Sequence, residues 1–321
     1  MIAPPRVDEA VCQQHAAPYP GLDIRRVLVV VDPTAAAHPC IDKAARIALH
    51  CGAEIELYIC DTEQDGPGVS AGRQARLDQH RQALEQLARP LRAQGLTVET
   101  YSEWNAPLEL GVGHHVIRTQ PDLVVKDSHR HEASRAPITF TDWILIRQVP
   151  APLLLVRPEP WPEHLRITVS CDPCHPAVRT PRIDEAMLDL GCTLGDALHA
   201  DLDVMHVLES PPHLPGERVA PQARLAHHAA ARVVVESLVA TRNSRGVRIP
   251  LHFEQGRAAE GIIQFTLRER PHVLIMGAAP RPRWAYAAAG GTAAQILESI
   301  PCDLLVIKPP GFVSPLLVTD E

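Results

Sequence analysis

The chain has 321 residues, enough for about two domains of ordinary size. Its 31 lysines and arginines against 38 aspartates and glutamates leave a net charge of −7, which disfavours a general binder of nucleic acid or of an anionic membrane. Aromatic residues make up only 4%, so stacking platforms for bases are scarce and aliphatic side chains must fill the core.

In chain order, the first apolar run is 27–31 (VLVVV), followed by Asp32 and Pro33. A helix is predicted over about 38–51, then a strand at 53–60 and a long helix over about 71–94. A strand at 97–103, a helix over about 107–119 and a strand at 122–126 follow. After a loop come a short helix near 142–148 and a strand at 152–156. The strands are short, continuous and rich in Val, Ile and Leu, which suits burial on both faces of a parallel sheet. Their alternation with helices implies right-handed crossovers and an open, doubly wound α/β sheet.

The order then repeats from 166 to 308. The strand 167–170 is followed by Cys171, Asp172 and Pro173, as 27–31 is followed by Asp32 and Pro33. The helix opening at Ile41 to Ala44 (IDKA) matches Ile183 to Ala186 (IDEA). At the far end, 149–158 (VPAPLLLVRP) matches 300–309 (IPCDLLVIKP). Two ordered agreements at opposite ends of each unit mark an internal repeat. The expected domains are therefore 25–158 and 164–309, two tandem Rossmann-like parallel-sheet units, joined by the Pro-rich stretch 158–164. Residues 1–24 and 310–321 read as tails. On the helix of the second unit, Ala230, Val233, Val234 and Leu238 recur at helical spacing and read as a core face.

No run approaches the roughly 20 apolar residues of a spanning helix, and residues 1–8 lack the charge order of a secretory leader. A cytoplasmic chain with its eight cysteines as thiols is expected, with neither membrane nor nucleic acid as a direct partner.

Ligands of such sheets bind beyond the carboxyl ends of the strands, where strand order reverses. In the second unit this crevice should gather Asp172, the strand end Met205-His206-Val207, and the stretch from Met276 and Gly277 to Gly290, Gly291 and Thr292. Glycines before a helix start free backbone N–H groups for phosphate, and Thr292 can cap the helix or give a hydroxyl to an anion.

An aspartate after the first strand, His-Val near the end of the second, and Met-Gly followed by a Gly-Gly-Thr helix start resemble the universal stress protein family. The resemblance spans about 25–309, and Asp122 to Lys126, His129, His131, Thr141 to Trp143 and Trp161-Pro162 are similar to its tandem branch. The resemblance implies an adenine nucleotide alpha hydrolase-like fold and a non-enzymatic stress-response protein, with ATP or a related adenine nucleotide in the second unit. It implies that Asp172 and Val207 flank the adenine. Met276 and Gly277 would line the ribose and phosphate path, and Gly290, Gly291 and Thr292 would hold phosphates. It further implies an internal pseudo-dimer of the two halves, with the last strand of each half near a partner edge, and leaves a homodimer open. The family's nucleotide-binding loop runs Gly-x2-Gly-x9-Gly-(Ser/Thr). Gly277 and Gly290 fit its first and third glycines, whereas Pro280 stands at the second, with no N–H and a fixed φ. Arg281 and Arg283 could pair with phosphate instead. In the first unit no glycine occurs between Gly113 and Pro150, so the phosphate cradle is missing there. Phe140 and Trp143 are expected to pack that loop shut or against the other half.

Other constellations have plainer readings. Cys171, Cys174 and His175 have the spelling of a haem attachment or a zinc clip, but supply three ligands where zinc takes four. His129, His131 and Glu132 could share one side of a loop as metal ligands, or simply be a polar surface. His114-His115 and His227-His228 point in different directions on helices and make poor joint ligands. No paired acid and base has a convincing spacing, so no catalytic residue is assigned. Weak ATP hydrolysis and the binding of an apolar small molecule or a metal stand as the alternatives.

Overall fold

A computed structural model describes residues 23–62, 70–128, 140–174, 183–211, 219–243, 246, 248–278, 296 and 299–317. The chain divides into two compact units, one made of 1–162 with 310–321 and the other of 163–309.

The first unit contains β1 (Arg26–Val30), α1 (Pro39–Cys51), β2 (Glu54–Asp61), α2 (Ser70–Ala93), β3 (Val98–Trp104), α3 (Leu108–Thr119), β4 (Leu123–Asp127), α4 (Phe140–Gln148) and β5 (Leu153–Val156). Its strands run in the order β3-β2-β1-β4-β5, with all pairs parallel. β1 and β4 are almost wholly buried because both faces carry helices, and a Val/Leu run is what such a strand requires. Pro39 begins α1, where its missing N–H costs nothing, and Gly52 ends it with φ 68°. α1 has no side-chain cap of its own. Instead the Cys40 N–H donates to Asp127 Oδ1 at 2.8 Å, so the last residue of β4 caps the helix from across the sheet.

The second unit contains β6 (Arg166–Ser170), α5 (Ile183–Leu198), β7 (Asp201–Leu208), α6 (Pro221–Arg242), β8 (Leu251–Gln255), α7 (Ala258–Glu269), β9 (Val273–Gly277) and β10 (Asp303–Ile307). Its order is β10-β9-β6-β7-β8, again parallel throughout. The registers of the two units correspond. Val27 faces Leu123 as Ile167 faces Val273, and Arg26 faces Glu54 as Arg166 faces Asp201. Lys126 and Asp127 therefore hold the places of Met276 and Gly277, and Cys60 and Asp61 those of Val207 and Leu208.

Two expectations need correction. The core face of α6 is His228, Ala231, Val235 and Val239, whereas Val233 is 64% and Val234 42% exposed. Small apolar residues occur all around this helix, so 3–4 spacing alone could not say which stripe faces inward. The stretch after 309 is also no tail as far as residue 317. Phe312 and Ser314 are buried, and a Cβ at Gly113 would run into Leu316 Cδ1, so this segment packs on α3 of the first unit. The stretch before it engages the first unit as well, with Trp161 lying 5.5 Å from the Lys43 ammonium in a cation–π contact.

Candidate functional site

In the second unit the strand order reverses between β6 and β9, and the crevice lies beyond their carboxyl ends. Asp172 stands two residues after the end of β6. Its N–H donates to Asp184 Oδ1 in the first turn of α5 at 2.7 Å, which leaves its own side chain half exposed at the crevice. Burial raises the Asp184 carboxyl above the usual range, partly offset by the Asp172 N–H that it accepts. His206 is buried, and its Nδ1 sits 2.9 Å from the Cys171 carbonyl oxygen, which places the ring proton on Nδ1. The same nitrogen lies 4.0 Å from Asp172 Oδ1.

Val207 contributes through its backbone. Its side chain lies beneath α7, where a Cβ at Gly261 would come within 2.8 Å of Val207 Cγ2. The Met205 carbonyl accepts from Cys171 on the β6 side, and the Leu208 carbonyl accepts from Gly256 on the β8 side. Alternation then turns the Val207 N–H and C=O toward the β6 side, beyond the last residue of that strand. A donor and an acceptor side by side at that edge can meet the hydrogen-bonding edge of a purine.

Met276 and Gly277 close β9. A Cβ at Gly277 would stand 2.6 Å from Ile183 Cδ1, so glycine is what lets the start of α5 come this close to the strand end. Asp172, Val207, Met276 and Gly277 are thus gathered at one end of the sheet. Gly290, Gly291 and Thr292 lie outside the described residues, as do Pro280, Arg281 and Arg283, and also His129, His131, Glu132 and His175.

The thiols beside this crevice are poor nucleophiles. Burial pushes Cys171 well up, and Asp184 and Asp172 push it further. Cys174 rises for the same leading reason. Among the described residues no group of three or more His, Cys, Asp or Glu side chains is placed to hold a metal.

The matching crevice of the first unit is charged. Asp127 caps α1, and the Lys126 ammonium lies 2.8 Å from the fully buried Asp142 of α4. Asp61 is held by Arg76 Nε at 3.0 Å and by His80 Nε2 at 3.3 Å. Cys60 donates to the Asn105 carbonyl and is pushed up to about 11, chiefly by burial. Trp143 is half-buried on α4, while the Phe140 side chain lies outside the described set.

The fold also joins groups that spacing could not. His115 Nε2 meets Glu56 Oε1 at 2.9 Å, its ring stacks on Tyr58 with centroids 4.2 Å apart, and the Tyr58 hydroxyl donates to Glu103. In the second unit Asp203 accepts from Arg166 at 2.8 Å. Glu56 and Asp203 occupy the same ladder position, so at this point of the second strand each unit satisfies a carboxylate with a basic side chain from another element.

The model of the universal stress protein family matches residues 23–157 and 181–308. Universal stress protein E of Escherichia coli K12 is 26% identical over 323 aligned positions, which cover 92% of this chain and 98% of that protein. The universal stress protein E homolog of Haemophilus influenzae is 21% identical, over 90% of this chain and 98% of its own length. Among solved structures, a protein of unknown function from Pseudomonas aeruginosa PAO1 superposes with a TM-score of 0.71 at 22% identity, covering 89% of this chain and 93% of that one. A universal stress protein from Archaeoglobus fulgidus gives a TM-score of 0.66 at 12% identity, over 88% and 98% of the two chains.

Proposed function

Since the chain belongs to the universal stress protein family and carries that domain twice, we propose that it is a cytoplasmic regulatory stress-response protein rather than an enzyme, and that its second unit binds ATP or a related adenine nucleotide. The observation that carries the nucleotide reading is the gathering of Asp172, the Val207 backbone, Met276 and Gly277 at the carboxyl ends of β6, β7 and β9, where Gly277 lets the start of α5 pack close against the strand end. Asp172 and the Val207 backbone would read the adenine edge, and Met276 would lie along the ribose. Gly290, Gly291 and Thr292 complete the proposal as the phosphate-binding helix start. Of the crevice's buried titratable groups, Asp184 already accepts from Asp172 and His206 is tied to the Cys171 carbonyl. That favours holding a nucleotide over turning it over. The repeat also supports an internal pseudo-dimer, and a monomeric mass by light scattering is its expected signature.

Native mass spectrometry of the purified chain with magnesium and ATP tests the site. One nucleotide per chain is expected, lost in Gly290→Asp with an unchanged circular dichroism spectrum. No nucleotide at millimolar ATP would remove the assignment, and a retained organic mass without phosphate would turn it toward an apolar ligand.

A further inference from the structure

We propose that the first unit holds a separate site for a small organic cation, in its simplest form a primary alkylammonium ion. A cleft of about 490 Å³ opens where β2 and β3 end and where α3 and α4 begin, lined by Thr62, Ala106, Pro107, Leu108, Glu109 and Thr141. Glu109 sets the charge of what can enter. The residue is only 9% exposed, it lines the cleft, and its side chain has no hydrogen bond or ion pair among the described residues. Its place in the first turn of α3 suits a negative charge.

The neighbouring carboxylates are already matched. Asp61, next to Thr62, has Arg76 and His80. Asp142, next to Thr141, has Lys126. Glu109 is left with no counter-ion among the described residues, and a cation entering the cleft supplies one. An ammonium group brings three donors. The Glu109 carboxylate would accept from it, with Thr62 and Thr141 also in the lining, and an alkyl stem would lie along Ala106, Pro107 and Leu108. The second unit has no such charge. Gly111 and Gly261 are both the fourth residue of their helices, so Ala259 stands in the place of Glu109. The site is therefore particular to the first unit and independent of the nucleotide reading.

Titration of the full ¹⁵N-labelled chain with n-butylammonium chloride tests this, with n-butanol and butyrate as neutral and anionic ligands of similar shape at one ionic strength. The expected result is saturable, millimolar binding of butylammonium, with amide shifts centred on Thr62, Leu108, Glu109 and Thr141. Butanol should bind at least about tenfold more weakly and butyrate not at all. Glu109→Gln should weaken butylammonium by about tenfold or more. Equal binding of butylammonium and butanol, shifts centred elsewhere, or an unchanged Gln variant overturns the proposal. The charge series on the unaltered chain needs no variant, so a Gln variant that fails to fold leaves the test standing.

Discussion

At the carboxyl end of its fourth strand the first unit carries Lys126 and Asp127, whereas the second carries Met276 and Gly277 in the same register. In the first unit the carboxylate reaches the start of α1 and caps it from inside the protein. In the second, the missing side chain lets α5 approach and leaves the strand end bare. The same scaffold has thus joined its first helix to the fourth strand by a built-in carboxylate in one copy and by close side-chain packing in the other. One duplicated fold can join the same two elements by two chemistries when a few strand-end residues change.

The comparison breaks most visibly by moving residues between the units. Lys126→Met installs the residue of the second unit and removes the ammonium 2.8 Å from buried Asp142. Removing the ammonium partner of a buried carboxylate should cost about 3–5 kcal/mol, read by urea unfolding. Adding Asp142→Leu should recover most of that loss, because an apolar pair of similar volume replaces a buried ion pair at little cost. If the single variant is as stable as the parent, the charged crevice of the first unit is decoration.

The reverse exchange, Gly277→Asp, drives a Cβ toward Ile183. Overpacking there should cost about 1–3 kcal/mol. Nucleotide binding by the second unit should fall at least about a hundredfold on calorimetric titration, since the new carboxylate also repels phosphate. A folded Gly277→Asp protein that binds ATP normally would place the nucleotide elsewhere.

The smallest effect concerns pH. The Asp184 carboxyl is raised in the folded state by burial, so the folded chain holds its proton more tightly than the unfolded chain. Stability from this group is therefore greatest below the ordinary aspartate value of about 4 and declines as pH rises from there to the raised value. Asp184→Asn keeps an acceptor for the Asp172 N–H and should flatten that decline in a series of thermal unfolding curves. A slope unchanged by the substitution would show that another group titrates.

The alternation of strands and helices was legible because parallel strands buried on both faces need unbroken aliphatic runs, and 27–31 and 304–307 supply them. The gathering of Asp172, Val207, Met276 and Gly277 followed from strand ends alone. What stayed hidden depends on distance along the chain. Glu56 and His115 are 59 residues apart, and Asp127 caps a helix 87 residues before it, so no local pattern announces either. The facing of α6 was missed by one position because alanine and valine line both its sides. Glu109 gave no signal, since a glutamate near a helix start is ordinary until its surroundings are known.

The return of residues 310–317 to the first unit has a consequence for how the protein is made. A ribosome releases the amino-terminal half first, but the residues that finish its packing, Phe312 and Ser314 among them, emerge only after the whole second unit. The first unit is begun first and completed last. A nascent chain halted anywhere before residue 310 exposes the surface on α3 that Leu316 later covers, and in that interval it offers quality-control factors a patch that the finished protein does not.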